Sequence, residues 1–237
     1  LLAIDTVSNC CSTAVWSEGG IAAFRGQAMT RGHAEAIMPM IQDVLAETGH
    51  GFDDLDGLAV TVGPGSFTGL RTGLAAARGL ALATGLPLAG VTTLEIAAHE
   101  ALSTAPAIGD APVNDGPRCL VALETRRADL YVQLFSSDVV ALSEPLALKP
   151  EAVAAMTPAT PILWAGDGVR RLSDIISSRG AIDVFANDAM PPDARAVASF
   201  LALRWPAGGL PPGSSPSPIY VHPPEATLPV AEGRLRP

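Results

Sequence analysis

The sequence predicts an α/β protein of two lobes, each a mixed β-sheet flanked by helices. Three observations carry that prediction. The chain opens on a short apolar run, LLAID (1–5), followed by an alternating run, CSTAVWS (11–17), which is the pattern of a hairpin. Short, fully apolar runs such as GLAVTV (57–62) then alternate with helical stretches, as parallel strands do when helices cover them. After a Pro-, Gly- and Asp-rich stretch (103–117) the same hairpin-then-α/β plan begins again.

In the first lobe IAAFRGQA (21–28) reads as a third strand and HAEAIMPMIQDVLAET (33–48) as a helix. Ala34, Ile37, Met38, Ile41, Val44 and Leu45 fall on one stripe of that helix, with Glu35, Gln42, Asp43 and Glu47 away from it. Pro39 is expected to kink it, because proline removes one N–H and crowds the preceding turn. GLAVTV is the next strand. Ser66 can cap a helix running to about Thr84, where Gly85 and Pro87 stop it. LAGV (88–91) is another strand, and Thr92 with Glu95 forms a capping box for a helix through about Leu102. The order is βββαβαβα.

In the second lobe RCLVALE (118–124) and DLYVQLF (129–135) form a hairpin across TRRA, and a short helix begins near Pro150. PILWA (161–165) is a strand, GDGVRRLSDIISS a turn and helix, and PPDARAVASFLALR (191–204) the last helix. The expected division is a first lobe over 1–104, a linker over 105–117 and a smaller lobe over 118–205. The last helix is a candidate to pack back on the first lobe. A Pro/Gly-rich tail occupies 206–237, and its one ordered-looking piece is PIYVHPPEA (218–226).

Composition narrows the function. The net charge is −9, and of 15 cationic residues only Lys149 is lysine. Broad phosphate-backbone binding, which needs clustered cations, is excluded. Cys10, Cys11 and Cys119 are odd in number and lack metal-ligand spacing, which fits a reducing cytosol. No apolar run reaches the roughly 20 residues of a membrane span, so a soluble, cytoplasmic protein is expected.

The stretch TVGPGSFTGLRTG (61–73) admits two readings. A glycine-rich turn opening a helix can hold a phosphate, since its N–H groups and the helix dipole favour an anion. Its spacing matches neither GxxxxGK[ST] nor GxGxxG. The other reading is packing. Gly69, Gly73, Ala77 and Ala81 recur every fourth residue and make a flat ridge, and Arg71 and Arg78 are the helix's only charges. A helix apolar almost all round needs partners on two sides: the sheet, and either the 33–48 helix or another chain. Met40, outside the core stripe, suits an adaptable interface or the rim of an internal core. Asp5 at the end of the first strand is the one weak candidate for cofactor binding; it faces a metal-nucleotide or bonds the N–H groups of its own turn. His33, His50, His99 and His222 are scattered, GxSxG is absent, and no residue is assigned to catalysis or to a metal.

The residues LLAIDTVSNCCSTAVW resemble the first hairpin of the actin/Hsp70/sugar-kinase (ASKHA) superfamily, with Val7 where that superfamily has a glycine near phosphate. More closely, DT-S-N, GHAEAIMPMIQDVL, GPGSFTGLRTG and GLALATGLPLAGVTTLE resemble the TsaB (YeaZ) family. The likeness is dense over the first 100 residues and patchier through ETRRADLYVQLF, WAGDGV and PIYVHPPEA, where His222 stands in place of the family's arginine. The catalytic sibling, TsaD, carries its metal on an HxxxH whose two positions here read Thr93 and Ala97. The resemblance implies an ASKHA fold and a non-catalytic, cofactor-free subunit. It would pair with TsaD, joined by the ATPase TsaE, to make threonylcarbamoyladenosine in tRNA, touching tRNA only through TsaD. The implied pairing surface is the helix pair 33–47 and 66–83, with His33, Ile37, Met40, Ile41, Val44, Leu70, Gly73, Leu74 and Ala77 as its residues. Alone, such a protein is expected to be able to form a homodimer there. The competing expectation is an ASKHA-type nucleotide-dependent enzyme, or a peptidase-like (M22-like) protein, centred on Asp5 and the 165–168 turn.

Overall fold

The computed structural model describes residues 1–7, 10–104, 119–125, 127–157, 162–178, 184–185, 193–205 and 215–222. The first lobe is built around β1 (Leu2–Asp5), which pairs antiparallel with β2 (Cys10–Ser17) and parallel with β4 (Leu58–Thr61). The hairpin partner β3 (Gly20–Ala28) and the parallel strand β5 (Leu88–Val91) form the edges, giving the order β3-β2-β1-β4-β5. The second sheet contains β6 (Cys119–Glu124), β7 (Leu130–Phe135), β8 (Leu146–Leu148), β9 (Leu163–Ala165) and β10 (Val184–Phe185), in the order β8-β7-β6-β9-β10. Counted from each lobe's own first strand, the two sheets have the same order. Each joins an antiparallel meander to two parallel strands. This duplicated mixed sheet is the ASKHA-type architecture. The strands β8 and β10 are additions to the sequence-based reading.

Among the described residues six α-helices complete the layers: α1 (His33–Thr48), α2 (Phe67–Thr84), α3 (Thr93–Thr104), α4 (Pro150–Met156), α5 (Ser173–Ser178) and α6 (Ala194–Arg204). Side chains alternate across each strand, so one strand feeds two cores. In the first sheet Leu2, Ile4, Leu58 and Val60 point outward under α1 and α2. Ala3, Ala14 and Ala59 point inward, and their small size lets the helices between the sheets approach closely. In the second sheet Leu120, Leu130, Val132 and Trp164 face outward, while Val121, Phe135 and Leu163 join the shared inner core.

That inner core is filled by α3 and α6, each lying against the other lobe's sheet. The helix α3 packs on β6, β7 and β9, and α6 packs on β1, β2 and β3. A hydrogen bond from the Ala194 N–H to Ser12 Oγ at 3.0 Å and the Arg195 guanidinium over the Phe24 ring at 4.3 Å anchor α6 to the first lobe. The linker expected over 105–117 and the tail segments 206–214 and 223–237 lie outside the described residues.

Local signals set the helix ends. Ser66 caps α2, accepting the Gly69 N–H at 3.3 Å, and Gly85 ends it in a left-handed conformation. Thr92 and Glu95 form the predicted capping box, with bonds of 2.9 and 2.8 Å, and α3 runs on to Thr104. The helix α1 continues through Pro39 to a left-handed Gly49. Its buried stripe differs from the expected one. His33 is buried, whereas Ala34 and Met38 are exposed, because the stripe follows 33, 37, 41 and 44. No helix among the described residues is long and apolar enough to cross a membrane.

Candidate functional site

The chain packs against one side of the glycine-rich turn, while residues 65–68 stay exposed. Three of its N–H groups are bonded within the chain: Ser66 N–H donates to the Val7 carbonyl at 3.0 Å, Gly69 N–H to Ser66 Oγ and Leu70 N–H to the Ser66 carbonyl at 2.8 Å. Space is closed as well. A Cβ at Gly65 would strike Val7 Cγ1, one at Gly69 would strike the Thr6 carbonyl oxygen, and one at Gly73 would lie 2.5 Å from Thr6 Oγ1. The Thr6 hydroxyl returns the contact by donating to the Gly69 carbonyl at 2.6 Å. Gly63 accepts the Thr93 N–H at 2.9 Å. On this side the turn receives Thr6 and Val7, just after β1, and the start of α3. The expected glycine ridge is corrected in one respect: Gly69 and Gly73 face Thr6 and Val60 of the sheet, not α1.

Asp5 is 2% exposed, and its Oδ1 accepts the Val7 N–H at 3.3 Å. That is the turn-forming arrangement. Thr93 and Ala97 are both buried, and among the described residues the Thr93 hydroxyl has no hydrogen-bond partner. Burial pushes the Cys11 and Cys119 thiols up to about 12, so neither is a ready nucleophile. The Gly166–Asp167–Gly168 turn is occupied too, since Asp167 Oδ1 accepts the Glu124 N–H at 2.9 Å. One carboxyl is displaced in the same sense. Burial pushes the Glu100 carboxyl up to about 7, helped by Asp193 and opposed by Arg195.

The helix pair proposed for docking lies on the outer side of the first lobe, and its residues divide. Ile37, Ile41, Val44, Leu70, Leu74 and Ala77 are buried in the chain's own core with Leu2, Ile4, Leu58 and Val60. Ile41 is 0% and Leu74 3% exposed, so neither is on a surface that a partner could reach. Gly73 is sealed against Thr6, His33 is buried with its Nε2 unpartnered among the described residues, and Met40 is half-buried at the core's rim. These positions hold α1 and α2 to the sheet. The face turned outward carries Glu35, Met38, Gln42 and Asp43 on α1, and Phe67, Arg71, Ala75, Arg78 and Leu82 on α2. Leu82 is 89% exposed.

The segment 215–222 is the element whose role the sequence reading missed. It crosses the open end of the parallel strands. Arg78 Nη2 donates to the Pro216 carbonyl at 2.7 Å, Pro216 fills the space where a Cβ on Gly90 would be, and the Ile219 N–H donates to the Val62 carbonyl at 2.9 Å. Tyr220 stacks on Phe67 at 5.5 Å and accepts from Arg71 Nε at 3.2 Å. His222 then reaches the second lobe, with Nε2 2.8 Å from Asp129 Oδ2 and Nδ1 3.0 Å from the Tyr131 hydroxyl. Arg171 fixes the loop carrying Asp129 by donating to Glu124 and to the carbonyls of Arg127, Ala128 and Asp129. The sequence signals were an ordered-looking PIYVHPPEA in a loose tail and its patchy family resemblance, neither of which says what the segment touches.

A family model described as TsaD, tRNA N6-adenosine threonylcarbamoyltransferase, matches residues 18–154. The tRNA threonylcarbamoyladenosine biosynthesis protein TsaB of Escherichia coli (strain K12) is 38% identical over 138 residues, which are 58% of this chain and 55% of that protein. The TsaB of Haemophilus influenzae is 38% identical over 135 residues, covering 54% of this chain and 56% of its own length. The chain thus spans about half the length of the curated relatives it matches. Among solved structures, a Pseudomonas aeruginosa protein described as similar to peptidase YEAZ superposes with a TM-score of 0.73 at 27% identity. The superposition covers 93% of this chain and 98% of that one.

Proposed function

The chain belongs to the TsaB/YeaZ family, and on that premise we propose that it acts in tRNA threonylcarbamoyladenosine biosynthesis as a non-catalytic subunit pairing with the transferase TsaD. The observation that carries this reading is the packed turn. Val7 and Thr6 fill the space beside Gly65, Gly69 and Gly73, Val7 accepts the Ser66 N–H and the Thr6 hydroxyl donates to the Gly69 carbonyl. What remains is a rigid frame with an outward helix pair. Docking falls to the exposed side of α1 and α2, where Met38, Ala75 and Leu82 supply apolar contact between the acids of α1 and the arginines of α2. TsaE would join the pair, tRNA would be reached through TsaD, and the complex would work in the cytoplasm without a cofactor on this chain. The same face, acidic on one helix and basic on the other, suits a homodimer in the partner's absence.

The second reading, an ASKHA-type or peptidase-like enzyme with its own centre, would need Asp5 and the 166–168 turn free for ligand. Both make bonds inside the chain. Calorimetry and pull-down separate the two. The scaffold reading expects no micromolar binding of Mg-ATP or Mg-ADP by the isolated chain. It also expects capture of TsaD, lost in Met38→Asp and Leu82→Asp. Nucleotide binding of the wild type, or undiminished capture by both variants, would reverse the assignment.

A further inference from the structure

We propose that Arg71, held between Phe67 and Tyr220, is a binding site for a carboxylate on a protein partner. The proposal rests on the reading that the α1/α2 side is a docking face. The Arg71 guanidinium lies 3.8 Å from the centroid of the Phe67 ring, and its Nε donates to the Tyr220 hydroxyl. One ring comes from the same helix and the other from a segment 149 residues away, so tertiary structure assembles the site. These contacts use one face and Nε. Among the described residues they leave the two terminal nitrogens, which can grip a carboxylate with two parallel hydrogen bonds.

Arg71 is unusual for a cation in an acidic chain. Arg25, Arg171 and Arg195 are paired with Glu47, Glu124 and Asp193. Among the described residues no carboxylate meets Arg71 or Arg78, and α2 contains no acidic residue. Phe67 and Tyr220 are 54% and 48% exposed, so two large rings and a guanidinium stand together at the surface. Aromatic and arginine side chains dominate the energy of protein interfaces, and ones already fixed in place lose little freedom on binding. Fixing comes from the segment's other bonds: Pro216 on Gly90, Ile219 to Val62 and His222 to Asp129.

Charge chooses the class of partner. A nucleic-acid backbone is held by several cations at once, and its binding weakens on a chain of net charge −9. A single pre-oriented fork beside two rings fits an Asp or Glu side chain, flanked by an apolar residue, on a folded protein.

The test is calorimetric titration of the purified TsaD partner with the wild-type chain and with Arg71→Glu, Arg71→Lys, Tyr220→Ala and Leu82→Asp. Each variant is first checked for unchanged thermal unfolding. Arg71→Glu is expected to weaken binding about 30-fold and Arg71→Lys about tenfold, since an ammonium lacks the fork. Both losses should shrink in high salt. If Leu82→Asp abolishes binding while the Arg71 and Tyr220 variants bind like wild type, the carboxylate site is wrong and the docking face stands. If the wild-type chain does not bind the transferase, both fall. Unchanged transferase binding with loss of tRNA binding in Arg71→Glu would assign the site to RNA and overturn the proposal.

Discussion

His222 and Asp129, 93 residues apart in sequence, close a contact between the C-terminal segment and the second lobe, with Nε2 and Oδ2 2.8 Å apart. The carboxylate can only accept, so Nε2 donates, and a neutral ring then accepts from the Tyr131 hydroxyl through Nδ1. A Thr125 hydroxyl bonds the other carboxylate oxygen at 2.7 Å. The segment that carries Tyr220 to Arg71 is therefore held at both ends. Where the family's pattern has arginine, histidine makes the contact to the acid.

This contact has a pH signature. Burial pushes the Asp129 carboxyl up, but hydrogen bonds from His222 and Thr125 outweigh it and hold the carboxyl below its ordinary 3.8. An acid with a depressed folded value adds stability above its unfolded value, and that stability is lost as pH falls through the folded one. Asp129→Asn should flatten the acid limb of the thermal stability curve below about pH 4. Near neutrality it should cost about 1 kcal/mol, the net value of a hydrogen bond.

Glu100 has the opposite sign. Its folded value of about 7 lies above the ordinary 4.5, so the native state binds the proton more tightly and stability falls as pH rises between those values. A shift of that size is worth about 3 kcal/mol for a fully buried group, and about 1 kcal/mol for a half-buried one such as Glu100. Glu100→Gln should leave stability at pH 5 nearly unchanged and raise it at pH 8, as read by urea unfolding.

The glycines of α2 should separate cleanly. Gly69→Ala drives a Cβ into the Thr6 carbonyl and should cost about 2 kcal/mol or more, because backbone cannot move aside. At Gly79 an added Cβ would meet nothing within 4 Å, so alanine there should gain roughly 0.5–1 kcal/mol from helix propensity. Equal effects of the two substitutions in chemical denaturation would contradict the packing described for the turn.

Ile41→Asp and Leu74→Asp place a carboxylate in the core beneath the helix pair and should unfold the chain, each costing several kcal/mol. Leu82→Asp, one helix face away, should keep the wild-type melting temperature within a degree or two, its cost being within about 0.5 kcal/mol. Circular dichroism distinguishes these outcomes before any binding assay is run.

The sequence alone determined most of the secondary structure, because its signals are local. Apolar alternation marked the β1–β2 and β6–β7 hairpins, Ser66 and the Thr92/Glu95 box marked helix starts, and Gly85 marked an end. It missed β8 and β10, which are three and two residues long and too short to show a period. It offered the turn bond of Asp5 as one of two readings, because that bond spans only two residues.

Tertiary structure decided everything that depends on which face of a helix is covered. Periodicity names an apolar stripe without saying whether a sheet or another chain lies over it. Ile41 and Leu74 therefore read as interface residues, yet they belong to the core shared with Leu2 and Ile4. It likewise decided that Gly69 and Gly73 receive Thr6, more than 60 residues earlier, and that Tyr220 meets Arg71. Such pairings rest on the close packing of distant segments, which leaves no mark at any fixed spacing along the chain.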